Sequence, residues 1–334
     1  MKLHGFLDAL GAPVQDAEEE TFELFAQDLP SQNLGFIDSR ATTLELTVAG
    51  RDFSIHQSPG ILSSNRAGGT TGAVVWKITP LFAEWLASPA NPFFAHGVLS
   101  PSSLAVELGC GIAGLVALLL APRISRYVLT DQPYVAKLVE QNVSDNWPAA
   151  CSASASTSAS ASVSGKAARL AASTPAGRGR AKETTTAGSS GPARGERRIH
   201  FAPLDWETDR VTAALTGSGE ARSFDVVLAC DCIYNEALVD PFVSTCVDLC
   251  RLRAAEEEEE EQEGQGLGPN PGREPCVCVV AQQLRDPLVF EAWMTRFARS
   301  FHTWRVPDRL LSEGLRSNSG FVVHVGVLKD DISL

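Results

Sequence analysis

The run Glu107-Leu108-Gly109-Cys110-Gly111-Ile112-Ala113-Gly114 carries the clearest chemistry in this sequence. It follows the strand-like Leu104-Ala105-Val106 and opens the helix-like Leu115–Ala121, the setting that makes a glycine loop informative. Glycines there allow a tight turn and close approach of the backbone to a ligand. Asp131 ends the next strand-like run, Tyr127-Val128-Leu129-Thr130, placed to accept hydrogen bonds from a ribose diol. These features suit a dinucleotide or S-adenosylmethionine (SAM). Glu107 separates the two. Nicotinamide loops usually carry an apolar residue here, and their helix N-terminus receives a pyrophosphate. SAM has no pyrophosphate but carries a sulfonium and an ammonium, which a carboxylate favours. The competing reading is a Glu107 satisfied by backbone amides of the turn. The absence of a hydride-transfer constellation after residue 200 also weighs against a dehydrogenase.

A second cluster runs from Phe224 to Tyr234, where the apolar strand Val226–Cys230 ends at Asp231. Open α/β sheets place their sites at this carboxyl edge. Asp231 and Tyr234 can converge if the chain turns after the strand. The carboxylate would then accept a hydrogen bond from a substrate amine, and the tyrosine ring would line the channel beside a cation. Alternatively, Asp231 caps the following helix and Tyr234 packs against it. Trp206 follows the third strand at the carboxyl edge and Trp76 lies among small and apolar residues before the first helix, although a lone tryptophan is more commonly core.

Strands alternating with helix-length connections predict an α/β fold with a parallel sheet and right-handed crossovers. The last two strands, Trp304-Arg305-Val306 and Phe321–Leu328, have no helix between them and are expected to pair antiparallel at one edge. Leu44–Val48 and Arg51–Ile55, joined by Ala49-Gly50, read as a β-hairpin. This divides the chain into an N-terminal extension with a hairpin (1–65) and a main domain (66–334). Residues 149–198, rich in Ala, Ser, Thr and Gly, and 254–275, opening on a glutamate run, read as low-complexity surface insertions.

The chain has 334 residues, 44% of them apolar, and a net charge of −12. An acidic body repels nucleic acid and favours a basic protein partner. Residues 149–198 are the contrary feature, with eight basic residues against two acidic. The longest apolar run, Gly114 to Pro122, is too short to span a bilayer, and the N-terminus lacks the pattern of a secretory signal. A soluble, cytoplasmic protein is expected, without a membrane partner. The eight cysteines lack zinc spacing, and Cys230, Cys232, Cys276 and Cys278 lie in apolar runs, so reduced thiols and no metal are expected.

The segments Val75–Pro80, Val106–Gly111, Leu129–Asp131, Leu204–Trp206 and Ala229–Tyr234 together resemble the seven-beta-strand protein-lysine methyltransferases, in particular fungal ribosomal-lysine enzymes. The resemblance covers residues 40 to 330 outside the two insertions. It implies a Rossmann-like, seven-stranded SAM-dependent methyltransferase fold. It further implies that Trp76, Gly109, Cys110, Gly111, Asp131, Trp206 and Ala229 line the SAM pocket, with Trp206 beside the adenine. Glu107 joins this set from the residue reading above. Asp231 and Tyr234 match the family's Asp-x-x-Tyr signature near the acceptor amine. The implied substrate is a lysine of a large-subunit ribosomal protein, methylated by a monomeric enzyme. Two rivals remain. A nucleic-acid amine methyltransferase often carries Asp/Asn-Pro-Pro-Tyr here, whereas this chain has Cys232-Ile233 in the middle. An inactive SAM-fold interaction module is the other.

Overall fold

Ala49 and Gly50 take left-handed φ angles of 51° and 70°. Two such residues make a type I′ turn, whose twist matches antiparallel strands. They join β1 (Thr43–Val48) to β2 (Arg51–His56) in the computed structural model. The structure describes residues 2–30, 34–66, 69–152, 198–219, 221–262 and 274–332. Before the hairpin come α1 (Lys2–Leu10) and α2 (Ala17–Phe25), neither of which the sequence reading anticipated. Helix α1 buries an apolar stripe of Leu3, Phe6, Leu7 and Leu10, and α2 buries Leu24 beside the polar Glu20 and Thr21. The extension therefore shares its core with the rest of the chain.

After α3 (Pro59–Leu62), α4 (Ile78–Ala87) and α5 (Pro92–Ala95), strand and helix alternate. The order is β3 (Leu104–Leu108), α6 (Leu115–Leu120), β4 (Arg126–Asp131), α7 (Ala136–Cys151), β5 (Ile199–Pro203) and β6 (Val226–Cys230). It continues with α8 (Val239–Gln262), β7 (Val277–Gln283), α9 (Pro287–Ser300), β8 (Phe301–Arg305) and β9 (Phe321–Leu328). The strands form one seven-stranded sheet, ordered β5-β4-β3-β6-β7-β9-β8. The first five pair in parallel, while β9 runs antiparallel to both β7 and β8. The expected terminal antiparallel pair is present, with β9 inserted next to β7 and β8 at the edge.

One apolar cluster, contributed by α1, the hairpin, α4, α6 and α7, covers one sheet face. The other, from α2, α8 and α9, covers the opposite face. Helix α9 illustrates the local logic. Asp286 caps it by accepting from Leu288 and Val289 amides, Pro287 starts it, and Phe290, Trp293, Met294 and Phe297 form its buried stripe. Two α7 asparagines hold the hairpin. Asn142 and Asn146 each accept from and donate to the β2 backbone, at His56 and Ser54 respectively.

Much of the two proposed insertions, 153–197 and 263–273, lies outside the described residues. The second does not begin as a loop. The glutamate run continues α8 to Gln262, because glutamate is a good helix former. No helix among the described residues is long and apolar enough to cross a membrane.

Candidate active site

The strand order reverses between β3 and β6, since the chain moves outward through β4 and β5 before returning. Such a switch point opens a crevice at the carboxyl ends of the strands. A cavity of about 320 Å³ sits there, within the size range of small-molecule sites. Trp76, Glu107, Gly109, Cys110, Gly111, Asp131, Trp206, Asp231 and Tyr234 all line it. Ala229 does not: alternation along β6 turns it into the core against α8, and its neighbour Cys230 faces the cavity instead.

The glycine loop turns through positive φ at Gly109 (65°), Gly111 (57°) and Gly114 (58°). A Cβ on Gly109 would lie 2.8 Å from Cys232 Sγ and 3.3 Å from the Trp206 ring. A Cβ on Gly111 would lie 3.1 Å from Gly72 O, which accepts the Ile112 amide at 2.9 Å. The segment around Gly72 thus clasps the glycine loop. Asp131 Oδ2 accepts the Gly111 amide at 2.8 Å, and Oδ1 accepts that of Gln132 at 2.7 Å. Burial lifts its carboxyl to about 6 against these two bonds.

Glu107 is bonded by a side chain, not by the backbone amides of the turn. It is buried on the sheet face it shares with Tyr127, its diagonal cross-strand neighbour. The Tyr127 hydroxyl donates to Glu107 Oε2 at 2.7 Å. Burial pushes the Glu107 carboxyl up to about 8, beyond what the Tyr127 bond recovers, with the Asp131 charge adding to the rise. A cation in the cavity would bring this carboxyl back to its ionised form.

Asp231 is buried with φ at +63°, a left-handed conformation uncommon outside glycine. It does not cap the following turn, which Asn235 caps. Its carboxylate is gripped by Arg285, with Nη1 on Oδ1 and Nη2 on Oδ2, both at 2.6 Å. The Arg285 guanidinium also lies 5.0 Å from the Trp76 ring centroid. Tyr234 is 41% exposed at the mouth, and its hydroxyl accepts from Thr71 Oγ1 at 3.2 Å. Trp76 Nε1 donates to Thr71 O, and its ring packs on Phe36 at 4.5 Å between centroids.

Several lining residues escaped sequence reading: Thr71, Thr79, Gln132, Tyr134 and Asp205. Gln132 adjoins Asp131 and donates to Asp205 Oδ2 at 2.7 Å, so adjacency to the strand end could have flagged it. Tyr127 and Arg285 gave no local signal, because each acts on a residue distant in the sequence. The cavity's donor set fits SAM. It offers a buried carboxyl for cationic groups, an acceptor at Asp131 for a diol, and a tryptophan, Trp206, whose buried Nε1 has no partner among the described residues.

Comparison with known proteins agrees. The ribosomal lysine N-methyltransferase 5 of Zygosaccharomyces rouxii is 30% identical over 215 residues, covering 58% of this chain and 59% of that protein. Its Saccharomyces cerevisiae counterpart is 29% identical over 229 residues, with the same coverage. A Schizosaccharomyces pombe protein named diaminohydroxyphosphoribosylamino-pyrimidine deaminase is 33% identical over 134 residues, 40% of this chain and 32% of that one. The chain thus spans less than two thirds of these relatives' length. A lysine methyltransferase profile matches residues 56–159 and 191–256, more than half of the sequence. The chain belongs to the lysine methyltransferase family.

Proposed function

We propose that this protein transfers a methyl group from SAM to a lysine ε-amine of a basic protein, with large-subunit ribosomal proteins as the substrate class. One observation carries the reading: in a chain of this family, a single cavity joins the glycine loop and Asp131 to Asp231, Tyr234 and Trp76. The names of the yeast relatives supply the ribosomal class. The net charge of −12 favours a basic protein over RNA. In this reading the enzyme is a cytoplasmic monomer.

Bound SAM supplies an electrophilic methyl on a sulfonium. Glu107 would favour the cationic part, Asp131 would take the ribose diol, and Trp206 would lie beside the adenine. The backbone of Gly109, Cys110 and Gly111 lies against the ligand, where side chains on the two glycines would intrude. The acceptor must be neutral, although an unperturbed lysine titrates near about 10.4. Desolvation between Trp76 and Tyr234 lowers that value. Asp231 accepts a hydrogen bond from the amine and orients its lone pair, and solvent at the Tyr234 mouth takes the released proton. Alignment and exclusion of water supply the rate, with no covalent enzyme intermediate.

The test is incubation of the protein with methyl-labelled SAM and a ribosome-containing extract, with and without RNase. Label is expected on a basic protein at lysine, insensitive to RNase. Label on RNA, or SAM binding with no transfer to any protein, would sink the proposal.

A further inference from the structure

The carboxylate that the reaction would use is already engaged. A carboxylate offers about four lone-pair positions, and three at Asp231 are taken. Oδ1 accepts the Gln283 amide at 3.2 Å and Arg285 Nη1 at 2.6 Å, and Oδ2 accepts Arg285 Nη2 at 2.6 Å. The Asp231 side chain is 2% exposed and that of Arg285 20%. Arg285 is walled in from further sides. Its Nη2 also donates to Gln283 Oε1 at 2.9 Å, and Trp76 lies under the guanidinium. Gly35, in left-handed backbone, sits so close that a Cβ there would overlap Gln283 Oε1 and come within 2.7 Å of Nη2. The Phe36–Trp76 bridge, with Lys77 N donating to Gly35 O at 2.8 Å, keeps this segment in place. Gly35, Phe36, Gln283 and Arg285 all lie outside the residues matched by the family profile.

We infer that Arg285 is a positioning residue that turns Asp231 into a charge-compensated acceptor, selecting a neutral amine over an ammonium. This rests on the lysine-methyltransferase reading. A bidentate guanidinium–carboxylate pair carries no net charge, and its planar fork fixes the carboxylate plane. One lone pair on Oδ2 remains for the amine. A bare buried carboxylate would instead hold the ammonium, which has no lone pair to attack with. Among the described residues lining the cavity, Asp205 and Glu207 flank Trp206, away from this end. Burial keeps the Cys230 and Cys232 thiols and the Tyr234 phenol protonated, while Glu107 and Asp131 belong to the cofactor end.

The test compares wild type, Arg285→Gln, Arg285→Lys and the Asp231→Asn/Arg285→Gln double variant. Methyl transfer to salt-extracted ribosomal proteins is followed across pH, and SAM binding verifies folding. An uncompensated opposite charge moves a pKa by about one unit or more. Arg285→Gln should therefore move the acid limb of the rate profile upward by about one unit, with kcat down about tenfold below the limb and no rise in KM. Arg285→Lys keeps the charge and loses the fork, so its rate falls while its limb stays at the wild-type position. The double variant restores neutrality and should return the limb to that position, even if slow. If Arg285→Gln does not fold, the other two variants decide. An unmoved limb in Arg285→Gln, a displaced limb in Arg285→Lys, or a limb still displaced in the double variant overturns the role of Arg285 alone. A folded, SAM-binding wild type that labels no protein overturns the methyltransferase reading itself.

Discussion

Replacing Glu107 with glutamine isolates the electrostatics of the cofactor end. Glutamine keeps the shape and can still accept from Tyr127, so the change removes one titration and little else. The folded carboxyl titrates at about 8 against an ordinary 4.5. Between those values the folded chain keeps a proton that the unfolded chain has released. Wild-type stability is therefore full below the ordinary value, falls as pH rises, and levels off above the folded one. At 1.36 kcal/mol per unit, the whole span is on the order of 5 kcal/mol. Asp131 is also raised, to about 6, but it titrates in both proteins and largely cancels in their difference. Denaturant unfolding without SAM should find the two proteins alike near pH 5. The variant should be ahead by roughly 3 kcal/mol near pH 6.5, and by more near pH 8. Titration calorimetry supplies the second arm. A cationic ligand returns Glu107 to its charged form, so SAM binding to wild type near pH 7 should release up to about one proton. Binding to the variant should be weaker and release less. A stability difference that stays constant with pH would refute the buried, protonated Glu107 on which the argument depends.

Gly109→Ala places a Cβ 2.8 Å from Cys232 Sγ at a φ of 65°, so SAM affinity should fall at least about tenfold, measured by calorimetry, with stability lowered by about 1–3 kcal/mol. Phe36→Ala removes the ring packed 4.5 Å from Trp76. It should raise KM for the protein substrate while SAM affinity stays unchanged, which steady-state kinetics would separate. Glu20 of α2 meets the fully buried His324 at 2.8 Å and Arg305 at 3.5 Å. Glu20→Ala leaves that histidine without its hydrogen-bond partner and should cost about 1–3 kcal/mol in denaturant unfolding. The Glu20 carboxyl is held below its ordinary value by its hydrogen bond and charge contacts with His324 and by Arg305, against burial. Its stabilisation is therefore present above the ordinary glutamate pKa and lost as pH falls through the depressed one, so α2 should loosen in acid.

What the sequence disclosed is what short-range patterns encode. The glycine loop was legible because a strand precedes it and a helix follows, and the Ala49-Gly50 turn because strand alternation flanks it. Asp131 and Asp231 were legible as polar ends of apolar strands. The helices before residue 40 were legible in principle. The α1 stripe of Leu3, Phe6, Leu7 and Leu10 has helical spacing, and Asp16 accepts the Glu19 amide at the start of α2. What escaped depends on pairing across the fold. Tyr127 reaches Glu107 because β3 and β4 are in register with Ala105 opposite Tyr127. Arg285 reaches Asp231 from 54 residues away, beyond the end of the neighbouring strand. Ala229 stands outside the cavity lining for a related reason, since the strand pleat turns it away from the cavity its neighbour faces.

The acceptor end of the cavity draws on more of the chain than the donor end does. The glycine loop, Asp131, Trp206, Asp231 and Tyr234 all fall within the span that matches the family. Trp76 also lies within it, whereas Gly35–Phe36 and Gln283–Arg285, which add charge and wall around Asp231, come from before and after it. The ends are nevertheless physically joined. Thr71 bonds both Trp76 and Tyr234, and its neighbour Gly72 accepts from Ile112 of the glycine loop. Thr71 and Gly72 thus tie the donor end to the acceptor end through one short segment.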